Sequence, residues 1–333
     1  MKIEGLFLLV LLVAFFVTFI SLRRLIPFLA SKKMGQKILD IGPRWHKGKE
    51  GTPTMGGLSF ILAILIAFVV FIIITIKDLN QRYLACAINI ILYATLNAMI
   101  GIIDDFAKIR NARNEGLTPK GKLIFQSIAS ILFLISLNYT VGIDTSLYIP
   151  YFDVYIEIGF FYYILAFLLL CGVVNSVNLT DGLDGLASSI ILTIGIFLSI
   201  VSLVITREPI IAFFAGSIIG AMIGFLVYNF YPARVFMGDT GSLFLGALVV
   251  AISFLLNNIL LVLVYGFVFI CEATSVILQV VYFKITKGKR LFKMAPLHHH
   301  FEKSGLGEVK ITIAFAIINM IFCILACLGM GNL

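Results

Sequence analysis

The chain has 333 residues, of which 61% are hydrophobic and only 13% are charged, and its formal net charge is +8. Its mean hydropathy of +1.09 excludes a soluble globular fold and is typical of a polytopic membrane protein. No long polar linker interrupts the pattern. We therefore expect a single transmembrane domain over residues 1–333.

Ten apolar segments follow one another along the chain, each long enough to cross a bilayer. Helices are expected, because backbone groups in lipid must be hydrogen-bonded within their own segment. The predicted fold is therefore all-α, a polytopic integral membrane protein with ten transmembrane helices. The predicted spans are residues 4–22, 57–76, 83–103, 123–139, 158–177, 186–205, 210–230, 242–256, 259–283 and 311–330.

The positive charges are distributed unevenly between the loops. All 25 lysines and arginines except Lys2, Lys77, Arg82 and Arg207 fall in the loops after the odd-numbered spans. Because lysine and arginine mark the cytoplasmic side, these loops are expected to face the cytoplasm and both termini to face outward. Residues 140–157, where Tyr, Ile and Val alternate with polar residues, predict a short hairpin on the outer surface.

The first acidic motif is Asp104-Asp105, at the end of the third predicted span. Lys108 lies four residues after Asp104 and three after Asp105, so on a helix it reaches either carboxylate. Two adjacent carboxylates repel each other, and a bound cation or a shared proton would relieve the repulsion. The alternative is an interfacial cap paired with Lys108.

The second motif runs from Asn175 to Gly185 and contains Asn178, Asp181 and Asp184. If the segment is helical, the two aspartates share one face. Carboxylates at the membrane rim are costly and are functional candidates by default. A helix break with capping side chains is the alternative.

The third motif, Phe236 to Ser242, leads into the eighth span. Asp239 could ligate a hard cation through oxygen. Thr240 or Ser242 could cap the helix, whose N-terminus favours phosphate. Phe236 is placed to stack on a base, unless it is only a membrane-surface anchor.

Three consecutive histidines, His298, His299 and His300, lie in the last cytoplasmic loop. Consecutive residues do not easily converge on one metal ion, so hydrogen bonding to phosphate is the better prediction. Glu272 lies well inside the ninth span, where it either pairs with a polar neighbour or lines the site. Lys49 stands beside the rigid segment GTPTMGG of residues 51–57.

Together, GTPTMGG, the aspartate pair, NLTDGLDGLA, FMGDTGSLFLG and APLHHHFEKSG resemble the phospho-N-acetylmuramoyl-pentapeptide transferases. These belong to the polyprenyl-phosphate N-acetylhexosamine-1-phosphate transferase superfamily. The resemblance covers residues 40–310 in matching order. It implies that undecaprenyl phosphate attacks UDP-N-acetylmuramoyl-pentapeptide, releasing UMP and giving lipid I on the cytoplasmic face of the bacterial plasma membrane. It also implies Mg²⁺, a homodimer and sensitivity to nucleoside inhibitors.

The resemblance also assigns roles to individual residues. It implies catalytic roles for Asp104, Asp105, Asp239 and His298, with Mg²⁺ on Asp239. The substrate-binding positions that it implies are Lys49, Lys108, Lys120, Asn175, Asn178, Asp181, Asp184, Asn229, Phe236, Gln279, His299 and His300.

Two alternatives stay open. One is a sister transferase that uses UDP-N-acetylglucosamine. The sequence PLHHHFE argues against this alternative. The other is a secondary transporter of an anionic solute, which would place charges near the bilayer midplane, whereas here most charges lie at span ends. No nucleic-acid partner is expected.

Overall fold

The computed structural model describes residues 2–32, 35, 49–110 and 116–330, and helices dominate this part of the chain. Ten of its helical segments are long and apolar enough to cross a membrane, which confirms the predicted all-α, ten-span fold. The helices are α1 (Ile3–Ser31), α2 (Gly57–Thr75), α3 (Gln81–Arg110), α4 (Pro119–Thr140), α5 (Phe160–Thr180), α6 (Leu186–Ile200, continued by a π-helical turn, Val201–Thr206), α7 (Pro209–Asn229), α8 (Gly238–Leu255), α9 (Val262–Tyr265), α10 (Phe267–Ile285), α11 (Leu297–Glu302) and α12 (Glu308–Leu328).

Several helices extend beyond their predicted ends into polar sequence, among them α1, which was predicted to end at residue 22 and continues to Ser31. The third span was predicted to end at residue 103, but α3 continues to Arg110, so Asp104 and Asp105 lie inside the helix. The eighth span was predicted from residue 242, but α8 begins at Gly238. Hydropathy detects only the apolar part of a helix, whereas hydrogen-bonded polar turns lengthen it at the membrane rim.

The ninth span was predicted as one helix over residues 259–283, and this is wrong. A 3₁₀ turn (Ile259–Leu261) and α9 precede a break at Gly266, after which α10 begins. The Asn319 side chain of α12 satisfies the broken backbone, because its Nδ2 donates to the Tyr265 carbonyl at 3.0 Å and its Oδ1 accepts from Val268 N–H at 3.3 Å. Such compensation is what permits a helix break at membrane depth.

Small residues bring the helices together at two places. On α7, a Cβ at Gly216, Gly220 or Gly224 would meet the backbone of α1, so these glycines form a close-packed stripe. On α3, a Cβ at Gly101 would meet the backbone of Asp239. The second contact fixes α3 against the first turn of α8, and it thereby places Asp104 and Asp105 of α3 beside Asp239 of α8.

A two-stranded hairpin follows α4, as predicted for residues 140–157. Strand β1 (Ser146–Ile149) pairs antiparallel with β2 (Val154–Glu157). Tyr148 of β1 lines a cavity of about 340 Å³ together with Arg82 near the start of α3. The hairpin therefore lies at the end of the bundle opposite the aspartates, which lie near the end of α3.

Candidate active site

Three carboxylates from two helices form the centre of the site. Asp104 and Asp105 of α3 and Asp239 of α8 each offer an oxygen, and these oxygens lie within 4.8 Å of one another. We call these residues the carboxylate cluster. Oxygen donors of this kind suit a hard divalent cation. The structure thus unites the first and third sequence motifs, which are more than 130 residues apart.

Asp105 is committed to the backbone of α8. Its Oδ1 accepts from Asp239 N–H at 3.2 Å, and its Oδ2 accepts from Thr240 N–H at 2.9 Å and from the Thr240 hydroxyl at 2.7 Å. These first-turn N–H groups have no partner within their own helix. The sequence prediction that Thr240 or Ser242 caps α8 is therefore wrong, since a carboxylate of another helix performs that role.

Two lysines neutralise the cluster. Lys108 Nζ lies 2.6 Å from Asp104 Oδ2 and 2.9 Å from Asp239 Oδ2. Lys122 Nζ lies 2.7 Å from the same Asp239 oxygen. Lys120, which the sequence placed in the substrate pocket, is exposed in the first turn of α4. The cation that reaches the cluster from α4 is thus Lys122, which was not among the predicted binding residues.

The two predicted asparagines of α5 lie at different depths. Asn178 reaches the cluster, because its Nδ2 donates to Asp239 Oδ1 at 3.0 Å and its Oδ1 accepts from Lys122 at 3.1 Å. Asn175, about one turn earlier, donates to Gln126 Oε1 of α4 at 2.8 Å. Asn178 therefore orients Asp239 and Lys122 together, while Asn175 joins α5 to α4 below them.

Asp181 and Asp184 occupy a turn between α5 and α6, so the helical face that they would have shared is not formed. Asp184 is buried and accepts from Lys49 Nζ at 2.7 Å and from Ala233 N–H at 2.9 Å. Burial, together with the negative charges of Asp239 and Asp105, raises the pKa of the Asp181 carboxyl to about 8. At this pKa the protonated carboxyl, which can donate a hydrogen bond, is populated at neutral pH.

Phe236 is held by its backbone against the GTPTMGG segment. Its N–H donates to the Pro53 carbonyl, and its carbonyl accepts from Gly56 N–H, both at 2.8 Å. Asn229 is buried and donates to the Val235 carbonyl at 3.0 Å, while its Oδ1 accepts from the Ser188 hydroxyl at 2.7 Å. In this structure Asn229 therefore supports the loop that carries Phe236.

The three histidines lie in α11 and face three different partners. His298 is buried and pairs with Glu272 of α10. His299 Nδ1 lies 2.9 Å from Glu302, and His300 Nδ1 accepts from Lys293 N–H at 3.1 Å. The rings do not converge on one point, as expected for consecutive residues. The sequence left the role of Glu272 open, and the structure shows that it pairs with His298.

Gln279 connects α10 to the loop before α11. Its Oε1 accepts from the N–H groups of Leu291 and Phe292 at 3.0 and 2.9 Å. Its Nε2 donates to the Phe292 carbonyl at 3.1 Å. Gln279 thus fixes the approach of the histidine helix to the bundle.

Comparison with known proteins identifies the family. The profile of Glycosyl transferase family 4 matches residues 87–257, and the phospho-N-acetylmuramoyl-pentapeptide-transferase signature 1 matches residues 49–61. A phospho-N-acetylmuramoyl-pentapeptide-transferase of Caldicellulosiruptor bescii is 43% identical over 318 residues, which cover 96% of this chain and 95% of the relative. The chain belongs to the phospho-N-acetylmuramoyl-pentapeptide-transferase family.

Further relatives of the same name agree with this membership. The transferase of Halalkalibacterium halodurans is 42% identical over 326 residues, with 97% of both chains covered. That of Listeria monocytogenes is 42% identical over 315 residues, with 94% of this chain and 95% of the relative covered. The resemblance read from the motifs is confirmed, and the protein is a multi-pass membrane transferase.

One sequence signal for Lys122 was present in this transferase. Lys122 and Gln126 lie one turn apart on α4 and therefore share a face. Gln126 is buried and bonded to Asn175. Polar side chains on one face of an otherwise apolar helix predict contact with polar side chains of neighbouring helices. This pattern favours Lys122 over Lys120 as the lysine of α4 that reaches the site.

Proposed function

We propose that this transferase moves phospho-N-acetylmuramoyl-pentapeptide from its UDP conjugate to undecaprenyl phosphate, giving lipid I and UMP in peptidoglycan synthesis. The observation that carries the proposal is the carboxylate cluster with its two lysines, in a chain whose named relatives match it over nearly its whole length. A tethered lipid phosphate and a soluble polyanionic nucleotide can meet only at the membrane rim, and the cluster lies near the helix ends.

The cluster suits Mg²⁺, because it offers carboxylate oxygens of the kind that hard cations prefer. We propose Asp239 and Asp104 as the residues that hold the ion, since Asp105 is occupied by the first turn of α8. Bound Mg²⁺ would supply charge neutralisation to the diphosphate. The ammonium of Lys108 contacts both Asp104 and Asp239. A positive charge thus already lies between these two carboxylates, which supports the proposal that they bind a cation.

Direct attack by the lipid phosphate is the favoured mechanism. A phosphate monoester has a second pKa of about 6 and is mostly ionised at neutral pH, so it needs little activation. Asp104 would orient the lipid phosphate or accept its remaining proton. Lys108 and Lys122 would offset the charge that develops on the departing UMP. A phospho-aspartyl intermediate is the alternative, and trapping it with nucleotide substrate alone would overturn direct attack.

The cluster end of the bundle is proposed to face the cytoplasm. The distribution of lysine and arginine supports this orientation, as does the solubility of a UDP-linked donor. Phe236 is proposed to stack on uracil, and Asp181 to hydrogen-bond the nucleotide. The homodimer and the sensitivity to nucleoside inhibitors remain predictions.

The test is UMP release by detergent-purified protein given undecaprenyl phosphate, UDP-N-acetylmuramoyl-pentapeptide and Mg²⁺. We expect turnover that requires all three and that EDTA abolishes. UDP-N-acetylglucosamine in place of the donor should give no product, and a preference for it would assign the chain to the sister transferases. Absence of UMP release from an Asp239-intact, folded sample would refute the proposed reaction.

A further inference from the structure

A buried carboxylate and a buried imidazole form a closed pair beside the site. Glu272 Oε2 lies 2.9 Å from His298 Nδ1, and the two side chains are 0% and 1% exposed. Glu272 Oε1 accepts from the His298 backbone N–H at 3.1 Å. Both oxygens of Glu272 are therefore directed at one residue, and they fix both its backbone and its ring.

The charges in this pair limit where the ring protons lie. If ionised Glu272 accepted from Nδ1–H of a neutral ring, Nε2 would be bare and the pair would keep one buried negative charge, which is unfavourable away from water. Two arrangements leave no net charge. In one, ionised Glu272 faces a doubly protonated ring; in the other, protonated Glu272 donates to Nδ1. In both arrangements Nε2 of His298 carries a hydrogen.

Nε2 of His298 points towards the nucleotide-side turn of the site. Among the described residues this buried nitrogen has no hydrogen-bond partner. A Cβ built on Gly182 would strike it, so Nε2 lies against the turn between Asp181 and Asp184. A buried polar atom without a partner is rare in a native protein, and it indicates that a ligand completes this hydrogen bond.

Other titratable groups lie on the elements around α11. They are Asp181 and Asp184 in the α5–α6 turn, Glu308 and Lys310 at the start of α12, and His299 beside His298. Asp184 and Glu308 share the ammonium of Lys49, and the His299 ring centroid lies 4.1 Å from that of His298. Glu272 is the carboxylate bonded to the His298 ring.

We propose that Glu272 is a positioning residue that keeps a hydrogen on Nε2 of His298. Given the transfer reaction proposed above, on which this role rests, His298 donates that hydrogen bond to a phosphate oxygen of the nucleotide substrate. His298 is then a donor that holds negative charge, and it does not act as the base that activates the lipid phosphate. The glycine at position 182 is required because any larger residue would fill the space in front of Nε2.

Two substitutions at Glu272 separate the donor role from a packing role. In Glu272→Gln, the amide oxygen still accepts from His298 N–H and the amide NH₂ donates to Nδ1, so Nε2 keeps its hydrogen. In Glu272→Met, which has similar volume, Nδ1 has no partner and the neutral ring is free to carry its hydrogen on either nitrogen. We expect kcat within about tenfold of wild type for Glu272→Gln. For Glu272→Met we expect a loss of about 100-fold or more, because neither Nδ1 nor the His298 backbone N–H then has a partner and the donor to phosphate is no longer held in place.

The direct measurement is ¹⁵N NMR of histidine-labelled protein at pH 7.5. The chain has four histidines, and the His298 signals are assigned by their absence in His298→Gln. We expect a protonated Nε2 in wild type and Glu272→Gln, and a bare Nε2 population in Glu272→Met. A bare Nε2 in wild type, or wild-type kcat in Glu272→Met, would overturn the proposal.

The outcomes also separate this role from the reaction itself. If wild type releases no UMP, the proposed function fails, whereas the NMR result still decides the protonation of His298. If wild type turns over and Glu272→Gln falls as far as Glu272→Met while keeping hydrogen on Nε2, the donor role is wrong.

Discussion

Asp105 of α3 caps the helix that carries Asp239: its two oxygens accept from the N–H groups of Asp239 and Thr240 at 3.2 and 2.9 Å. The two neighbouring aspartates of α3 therefore have different tasks. Asp104 pairs with Lys108 and accepts from Leu117 N–H at 2.7 Å, while Asp105 fixes the backbone of its partner helix. The two adjacent aspartates thus hold different parts of the chain: Asp104 holds Lys108 and the segment before α4, and Asp105 holds the start of α8.

Replacing Asp105 should damage catalysis through the position of Asp239. In Asp105→Asn, only one side-chain atom accepts, so one N–H of the α8 first turn faces an NH₂ group. We expect kcat to fall at least tenfold and a higher Mg²⁺ concentration for half-maximal activity, measured by UMP release. Thr240→Val is the matched control, because it removes only the hydroxyl donor to Asp105 and should cost about 1 kcal/mol of stability. An Asp105→Asn enzyme with wild-type Mg²⁺ dependence would contradict the capping role.

Lys122 and Lys120 should differ sharply when each is changed to Met. Lys122 Nζ lies 2.7 Å from Asp239, whereas Lys120 is exposed. We expect Lys122→Met to lower kcat at least tenfold and Lys120→Met to change it less than about threefold, because an exposed charge is screened by solvent. Equal losses in the two variants would instead favour the sequence-based assignment of Lys120 to the substrate pocket.

Gly220 should tolerate no side chain. A Cβ at this position would meet the Leu11 carbonyl of α1, whereas a Cβ at Gly172 of α5 would meet nothing within 4 Å. We expect Gly220→Ala to lower the thermal unfolding midpoint in detergent, since overpacking costs about 1–3 kcal/mol. Gly172→Ala should leave the midpoint unchanged or raise it slightly. Midpoints that move together in both variants would contradict a close-packed α1–α7 stripe.

The Asp181 carboxyl should make stability pH-dependent when divalent ions are removed. Its folded pKa of about 8 lies above the value of about 3.9 expected in an unfolded chain. The folded state therefore binds more protons between these values, and stability falls as pH rises through that window. We expect the unfolding midpoint of wild type in EDTA to fall relative to Asp181→Asn between pH 5 and pH 8. Parallel pH curves for the two proteins would show that this carboxyl is already ionised.

The number of spans and the hairpin could be read from the sequence, because both depend on local patterns of apolar residues. The helix break at Gly266 could not, since it depends on Asn319, a residue more than 50 positions away that satisfies the freed backbone groups. Hydropathy treats such a segment as one continuous span. Only the folded bundle shows that a side chain of the last helix replaces the lost helical bonds.

The motifs identified most of the residues around the carboxylate cluster but not their partners. Asp184 was predicted to bind substrate, and the structure places it in an ion pair with Lys49. Glu272 remained undecided because its partner, His298, lies 26 positions later in a separate helix. Pairings of this kind depend on how helices pack in three dimensions, which a single sequence does not contain.

Lys49 also contacts Glu308, 259 positions later in the chain, with their atoms 2.7 Å apart. The ribosome synthesises Lys49 and Asp184 long before it reaches the helix that supplies Glu308. A growing polypeptide still lacking α11 and α12 would have neither Glu308 nor His298 in place. These two contacts are thus completed only after the last helices have been synthesised, and a nonsense mutation between α10 and α11 would remove both Glu308 and His298.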